Sequence, residues 1–576
     1  MKLIAACVAI ALVVAAGAAS AAPGHSHRLS NAKLPAKGWS KNVAPTKVKA
    51  DGLTRALHRD RITKNQYLIQ RARSVFRLHA VRKDFGTVAK PASRDATMLL
   101  RDLVVSYATL SPSQKKVADR ILARPTQGPN DPEHHGYQAG LVVKHACTSN
   151  FCFHWVEQSA DAIALGDGNG NGVPDYVDAA NGVFEQVRST EVTTLQMKAP
   201  KADNSSPDNG GGPQTDVYFA DTGAEGAYGF CTSDDPNKAR LGTDQYSFYD
   251  LSAYCVLDND FSVTQFPAPG ANGFAALQAT AAHEYFHAIQ FAYDVAEDDW
   301  LMEGSAVWVE DIVFDTVNDY YQYLPISQMG QPGIPLDYSS DADTLEAQSK
   351  YGAFLFFRFL SDNVLAADTG APDVKYMSEI WLRADSTRGS ASDAYSLQAV
   401  KAVLAARGVD FTSTYALFGV ANLFPASFYE EGAAYDDIAS PFYTRVRPSA
   451  KKPTRSLSGQ LDHLTEAYGV FSPGTGVKPT QHVRIIIDGP LPGRGGAIHA
   501  VTILTDGSAS YNRVTLNEAG DATIKLPFGK GTVADIVLVV TNASTAFNCF
   551  TGNVFSCQGT PTYDNQLFKL TGKIVR

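Results

Sequence analysis

The chain has 576 residues and a mass of 61.8 kDa, with 50 Lys and Arg against 59 Asp and Glu and a net charge of −9. That is too long for one hydrophobic core, so about two to four domains are expected. Residues 23–90 hold sixteen Lys and Arg against three Asp, a net charge of +13, whereas 91–576 hold 33 basic and 56 acidic residues. So acidic a body argues against phosphate-tracking chemistry, and no nucleic-acid partner is expected.

Lys2 precedes an apolar run from Leu3 to Ala16, and Ala19-Ser20-Ala21 is a small-residue cleavage site. Residues 1–21 therefore read as a secretory signal peptide, and the mature protein as secreted, extracellular and monomeric. Cys7 falls inside this peptide, too early for a lipid-anchoring cysteine. No later run offers the roughly twenty apolar residues of a spanning helix, so no transmembrane segment is expected.

Residues 22–130 form a basic N-terminal region. Its first part, to about residue 50, carries Pro23, Pro35, Pro45 and many Lys and reads as disordered. Tyr67, Leu68, Ile69, Ala72, Val75 and Phe76 then keep helical spacing. Ser111-Pro112-Ser113-Gln114 has the capping-box pattern with Pro at the first helical position, and that helix is expected to stop at Arg124, before Pro125. A basic helical segment ahead of an acidic body is either a prosegment held partly by charge or a permanent accessory domain. It has no cysteine between 22 and 146, so any latency would be steric rather than a thiolate plug.

Six cysteines follow the signal peptide, and an even count in a secreted chain reads as disulfides. Neighbour pairing, Cys147/Cys152, Cys231/Cys255 and Cys549/Cys557, is the expectation; His154 beside Cys152 leaves a second zinc site as the less favoured alternative.

Asp167-Gly168-Asn169-Gly170-Asn171-Gly172-Val173-Pro174-Asp175-Tyr176-Val177-Asp178 follows the ligand order of an EF-hand-type calcium loop. Side-chain oxygens fall on Asp167, Asn169, Asn171, Asp175 and Asp178, Gly172 takes the sharp turn and Val173 offers its carbonyl. Asp178 replaces the usual bidentate Glu, so a structural Ca2+ of modest affinity is expected. The alternative is a Gly/Asn turn capping a helix that begins near Asp175. After a loop at 203–213, Asp216–Ala220 reads as a strand.

The densest chemistry lies at His283–Glu303, HEYFHAIQFAYDVAEDDWLME. The run Ala275–Ala282 lacks Gly and Pro and favours helix. Positions four apart share a helix face, so His283 and His287 point the same way, as two ligands of a tetrahedral zinc ion must. Glu284 follows the first histidine, where its carboxylate reaches a metal-activated water as general base. Ala281, Ala282, Phe286, Ala288, Ile289 and Phe291 make the helix largely apolar and therefore buried, and buried His and Glu need partners.

The third ligand is sorted by elimination. Gln290 and Tyr293 stand where a metzincin would carry Gly and His. Glu297, Asp298 and Asp299 cluster as a solvated turn would. Glu303 sits in an otherwise apolar run from Trp300 to Trp308 and is the choice. Glu310, two helical turns further along the same face, is either a group that orients a ligand imidazole or a surface acid.

HEYFHAIQ followed by WLMEGSAVW resembles the gluzincin metallopeptidases, whose third ligand is a Glu on a following helix, often within W-L-x-E-G-x-A. The sixteen positions from His287 to Glu303 are fewer than in the thermolysin and aminopeptidase branches. The likeness is greater to a family of secreted bacterial metallopeptidases in which D-x-N-x-N-G-V-P-D-Y-V precedes the zinc helix, as it does here at 167–177. It covers roughly residues 50 to 545. The resemblance implies a zincin-like α+β domain with one catalytic zinc, and a sheet edge beside the zinc helix that aligns an extended peptide. Whether Asp216–Ala220 is that edge stays open. It also implies a Tyr or His from a later helix at the oxyanion. Tyr351, at the start of an apolar helix, is the candidate, in competition with Tyr320, Tyr321, Tyr323 and Tyr338.

Past a linker at Arg447–Pro453 the texture changes to short strands at 483–487, 501–505, 513–516, 522–526 and 536–540, a β-sandwich over 455–576. The expectation is multidomain: a helical N-terminal region, an α+β zincin-like catalytic domain at 131–447 and a C-terminal β-sandwich. The function expected is zinc-dependent endopeptidase acting on a protein or peptide substrate. The alternatives are a non-catalytic binding protein on the same scaffold and a zinc hydrolase of non-peptide amides or esters.

Overall fold

The computed structural model describes residues 27–29 and 50–576, apart from 89, 92–93, 95, 243–247, 268, 340–347, 367–371, 440–442 and 553–554. The signal peptide lies outside the described residues. Within the stretch expected to be disordered, His27–Leu29 forms a strand, β1, on an edge of the C-terminal sandwich; the rest of 22–49 is outside the described residues.

Four helices follow: α1 (Gly52–His58), α2 (Lys64–Phe85), α3 (Ala96–Ser106) and α4 (Pro112–Ile121). Thr63 and Ser111 cap α2 and α4 with complete capping boxes, as the spacing of Ser111 and Gln114 foretold. Helix α4 ends three residues earlier than the Pro125 rule implies, because Arg124 turns inward between Asp203, Asp216 and Asp234.

The central sheet holds β2 (Val143–Cys147), β3 (Phe151–Val156), β4 (Thr215–Ala220), β5 (Gly229–Thr232) and β6 (Tyr254–Asp258) in the order β2-β3-β4-β6-β5. Strands β3, β4 and β6 are parallel, and β2 and β5 are antiparallel edges. The strand read at 216–220 is thus interior, and the edge beside the helix of His283 and His287 is β5. FCFHWV and YCVLD are apolar without alternation because both faces of the sheet are covered. Helices α5 (Asp175–Arg188) and α6 (Gly273–Phe291) cover one face, where Phe184 and Tyr285 each meet the Phe151 ring at 5.2 Å. Phe76 of α2 meets Phe230 of β5 at 5.6 Å, so the N-terminal helices join the same core rather than forming a separate body.

Helix α7 (Asp299–Val313) lies against α6 and is followed by α8 (Ser349–Gly352), α9 (Phe354–Phe359), α10 (Tyr376–Arg383), α11 (Leu397–Ala406), α12 (Phe411–Leu423), α13 (Pro425–Phe428) and α14 (Gly432–Ile438). Gly304 permits the close approach of α7 to α8 and α9: a Cβ there would meet both Ala353 Cβ and a Phe357 ring carbon at 3.0 Å.

The sandwich begins at Tyr443, ahead of the expected linker, because β7 (Tyr443–Val446) pairs in parallel with β9. It continues through β8 (Thr454–Leu461), β9 (Thr465–Phe471), β10 (His482–Asp488), β11 (Gly496–Leu504), β12 (Ala509–Val514), β13 (Asp521–Pro527), β14 (Val533–Asn542), a small hairpin of β15 (Phe547–Asn548) and β16 (Thr560–Pro561), and β17 (Gln566–Val575). The two sheets are β1-β12-β11-β14-β9-β7 and β13-β10-β17-β8. The five expected strands correspond to β10–β14, and β1, β7, β8, β9 and β17 complete the two sheets. One face of the larger sheet packs on the smaller through Phe471, Ile536, Leu538 and Val540. Its other face receives Val420, Leu423 and Phe424 from the end of α12. The sandwich is therefore docked on the helical part, not merely tethered.

His463, buried at that junction, donates to Asp337 at 3.0 Å and to Asp564 at 2.7 Å through its two ring nitrogens. Burial opposes its positive charge, but Asp337 and Asp564 outweigh it and hold the imidazolium up to about 9. The folded value lies above the unfolded one, so this stabilisation is complete below about pH 6.5 and is lost as pH rises through 9. A fall in unfolding free energy on the order of 3 kcal/mol is expected between those limits. His463→Gln should flatten it in thermal melts; an unchanged pH slope would refute the assignment.

All three disulfides pair neighbours, Cys147–Cys152, Cys231–Cys255 and Cys549–Cys557. Cys152, His154 and Asp216 do lie together, but the thiol is bonded to Cys147 and His154 Nε2 holds Asp216 Oδ1 at 2.8 Å, which favours the disulfide reading over a second zinc. No helix among the described residues is long and apolar enough to cross a membrane.

Candidate metal centre

From Ala279 to Phe291 every residue of α6 is buried, and the helix carries His283, Glu284 and His287 into the core with no solvent exposure. A turn through Asp298 sends α7 back along it, and Glu303 arrives one turn into that helix, also fully buried. His283 Nε2 lies 3.1 Å from Glu303 Oε2 and 3.1 Å from His287 Nε2, and His287 Nε2 lies 3.6 Å from the same carboxylate oxygen. The three groups offer ligand atoms within 4.8 Å of one another.

The other ring nitrogens are held from behind. Glu310 Oε1 meets His283 Nδ1 at 2.7 Å, which resolves the two readings of Glu310: it is buried and orients the imidazole. Gln290 Oε1 meets His287 Nδ1 at 2.7 Å, while its amide nitrogen donates to Met302 O at 2.9 Å and Ser305 Oγ at 3.1 Å. Gln290 thus ties α6 to α7. Arg94 bridges Glu310 at 3.2 Å and Asp319 at 2.7 Å.

These residues fit a divalent cation. With both Nδ1 atoms engaged by acceptors, both Nε2 atoms face one another and a carboxylate. Glu303 Oε1 and Glu284 Oε1 are buried there with no hydrogen-bond partner among the described residues. Such orphaned oxygens cost free energy unless a cation or donor meets them. The site also selects for positive charge. Burial disfavours a charged His283, yet Glu303 and Glu310 hold its pKa up to about 9. Glu303 resists the upward push of burial, and His283 and His287 keep it well below the usual carboxylate range. Two imidazoles and one carboxylate are the donor set of zinc.

Glu284 Oε2 accepts from Thr97 Oγ1 at 2.8 Å, and Thr97 in turn accepts from Cys231 N at 2.9 Å. Tyr351 is buried with its ring 6.5 Å from that of His283 and stacked on Tyr323 at 5.1 Å. Of its competitors, Tyr320 is turned to Glu431 and Tyr435, and Tyr338 packs on Phe555.

The solvated turn expected at 297–299 is corrected. Glu297 is fully buried and accepts from Ser396 N at 3.1 Å, Asp298 accepts from Cys557 N at 2.7 Å, and Asp299 pairs with Arg101. Burial, with Asp294 and Asp298 nearby, drives the Glu297 carboxyl well up. Every one of these partners is distant in sequence, so local polarity pointed the wrong way.

The loop at 167–178 is held together by its own side chains. Asp167 accepts from Gly170 N at 2.8 Å, Asn171 N at 3.2 Å and Gly172 N at 3.0 Å. The side-chain amides of Asn169 and Asn171 reach Asp178 Oδ2 at 2.8 and 3.0 Å, and Asp175 accepts from Gly168 N. Gly172 takes φ +84°, the left-handed turn. Val173 donates to Asn171 Oδ1 at 2.8 Å, and α5 starts at Asp175.

Three residues at the zinc-type site were not foreseen. Gln290 lies three positions beyond His287, a spacing that places both on one helix face and could have flagged it. Arg94 and Thr97 come from a region with no local sign of the site. No family profile and no curated protein matches the chain. Among solved structures it is similar to CorA, described as a surface-associated copper-binding protein important in Methylomicrobium album BG8 copper acquisition, at 7% identity and a TM-score of 0.15, over 23% of this chain and 98% of that one. A likeness that slight bears on neither fold nor function.

Proposed function

We propose that the protein is a secreted zinc-dependent endopeptidase of gluzincin type, with a zincin-like central domain. The observation that carries this reading is the meeting of His283, His287 and Glu303 around one point, with the carboxylate of Glu284 on the adjoining position of the same helix. Edge strand β5 beside α6 supports it, since an extended polypeptide can add to such an edge. His283, His287 and Glu303 would hold the ion, which when bound supplies a Lewis acid that polarises a carbonyl and acidifies water. Glu310 and Gln290 keep the imidazoles in the tautomer that presents Nε2. Glu284 takes a proton from the attacking water and returns it to the leaving amine. Tyr351 is the candidate donor to the developing oxyanion.

Metal analysis should find one zinc per chain, and casein hydrolysis should be abolished by phenanthroline and restored by added zinc. Hydrolysis indifferent to the chelator would sink the proposal. So would a zinc-loaded protein that, intact and N-terminally processed alike, cleaves no member of a random peptide library; that result would favour a binding protein.

We propose further that the 167–178 loop holds a structural Ca2+, with oxygens from Asp167, Asn169, Asn171, Val173, Asp175 and Asp178. Saturating calcium at about 100 times Kd would add about 2.7 kcal/mol to stability. Thermal melts in millimolar calcium and in EGTA should differ by several degrees, and Asp167→Ala should erase the difference. Identical melts for the parent protein would dispose of the site.

A further inference from the structure

His283, Glu284, His287 and Glu303 have no exposed surface. An endopeptidase has to admit a polypeptide to such groups, so what covers them matters. Part of the cover comes from one short piece of the N-terminal region. Arg94 pairs with Glu310 and Asp319, Thr97 with Glu284, and Arg101, one turn further along α3 on the same face, with Asp299 and the Glu297 carbonyl at 2.7 Å. These partners surround the metal-type site on α6, on α7 and ahead of α7.

The contact through Thr97 is the most specific. Its hydroxyl donates to Glu284 and accepts from the backbone N–H of Cys231. Cys231 lies on β5, whose other side pairs with β6, so this N–H points off the free edge of the sheet. A peptide strand aligned on that edge would take that donor, and a water attacking its carbonyl would need that carboxylate. Thr97 engages both at once.

We infer that α3 is an intramolecular plug, seated in the polypeptide-binding cleft of a zinc-loaded but latent enzyme. The inference rests on the endopeptidase reading of the site. The plug works by occupancy of the base and the strand edge, not by ligand exchange. The only acid in α3 is Asp102, which pairs with Arg101 at 3.0 Å, and no residue of α3 joins the three ligand groups. The zinc position therefore stays available beneath it. Residues 23–90, just ahead of α3, carry +13 against an acidic remainder, so charge helps to hold the segment on the body. A natural joint exists as well: Ser111–Ser113 is exposed, whereas α4 beyond it is anchored to the central domain by Arg124 and by the Tyr254 hydroxyl on Leu122 O and Ala123 O.

The test uses the full chain with a specific protease site placed at Ser111–Ser113. Before cutting, it should bind one zinc yet bind a peptide hydroxamate at least about tenfold more weakly than after cutting and removal of the N-terminal fragment, the factor expected if less than about a tenth of the molecules are open. Casein hydrolysis should rise in parallel, with zinc content unchanged, and a synthetic peptide of residues 94–106 should restore inhibition. Equal hydroxamate binding by intact and cut chains, or loss of zinc when the fragment leaves, would overturn the plug. Hydroxamate binding that rises without any hydrolysis would keep the plug and remove the endopeptidase reading instead.

Discussion

Glu284→Gln, assayed with α3 displaced, is expected to retain zinc and lose about 10²–10⁴-fold in kcat. The substitution is nearly isosteric. The carboxylate accepts from Thr97 through one oxygen and has no partner on the other among the described residues. While α3 is seated a glutamine can keep the Thr97 contact, since an amide oxygen also accepts; once α3 is displaced, parent and variant have both lost it. What the glutamine lacks is the capacity to hold a proton between water and leaving amine. The loss should therefore appear in kcat, with KM nearly unchanged. Glu303→Ala should fail differently, by losing the metal, because two imidazoles alone make a poor zinc site. More than about a tenth of the parent kcat in Glu284→Gln, with zinc retained, would mean that another group serves as base.

Arg124→Leu is expected to destabilise the protein by about 3–5 kcal/mol, or to leave it insoluble. The guanidinium is fully buried, donating to Asp203 at 2.7 Å, Asp234 at 2.8 Å and Asp216, and its plane lies 4.9 Å from the centre of the Tyr254 ring. Leucine would fill much of the volume and leave three carboxylates facing one another without a cation. Burial already pushes Asp203 up to about 7 despite Arg124. A carboxyl whose folded pKa exceeds its unfolded value of about 3.9 favours folding while protonated, and that contribution is lost as pH rises towards 7. The defect should therefore deepen between pH 4 and 7. Arg124→Lys, which keeps the charge but not the fork, should fall between parent and leucine variant in urea midpoint. A leucine variant within about 1 kcal/mol of the parent would show the cluster to be neutralised in some other way.

The sequence located the three residues that meet at the candidate metal centre because their chemistry is periodic. His283 and His287 are four apart on a helix with no polar face, and Glu303 interrupts an apolar run, so both patterns demand buried partners. The same logic failed at Glu297–Asp299, where an acidic cluster is buried by Arg101, Ser396 and Cys557 from far along the chain. It also left Glu310 undecided, since a helix face says which residues align but not what packs on them. The sandwich strands were legible from alternation and turns, whereas the docking of α12 on the larger sheet was not.

By itself, then, the order of residues determined the helix that bears the two histidines, the Gly/Asn turn at 167–178, the strand texture of the last domain and the pool of cysteines. These follow from spacings of a few residues, over which backbone geometry is nearly invariant. Tertiary structure alone decided that Arg94 and Thr97 lie on the supports of the site, that β5 rather than β4 is its edge, and that the site is closed. Contacts between segments some two hundred positions apart leave no local periodicity, because each side is selected for its partner and not for its neighbours in the chain.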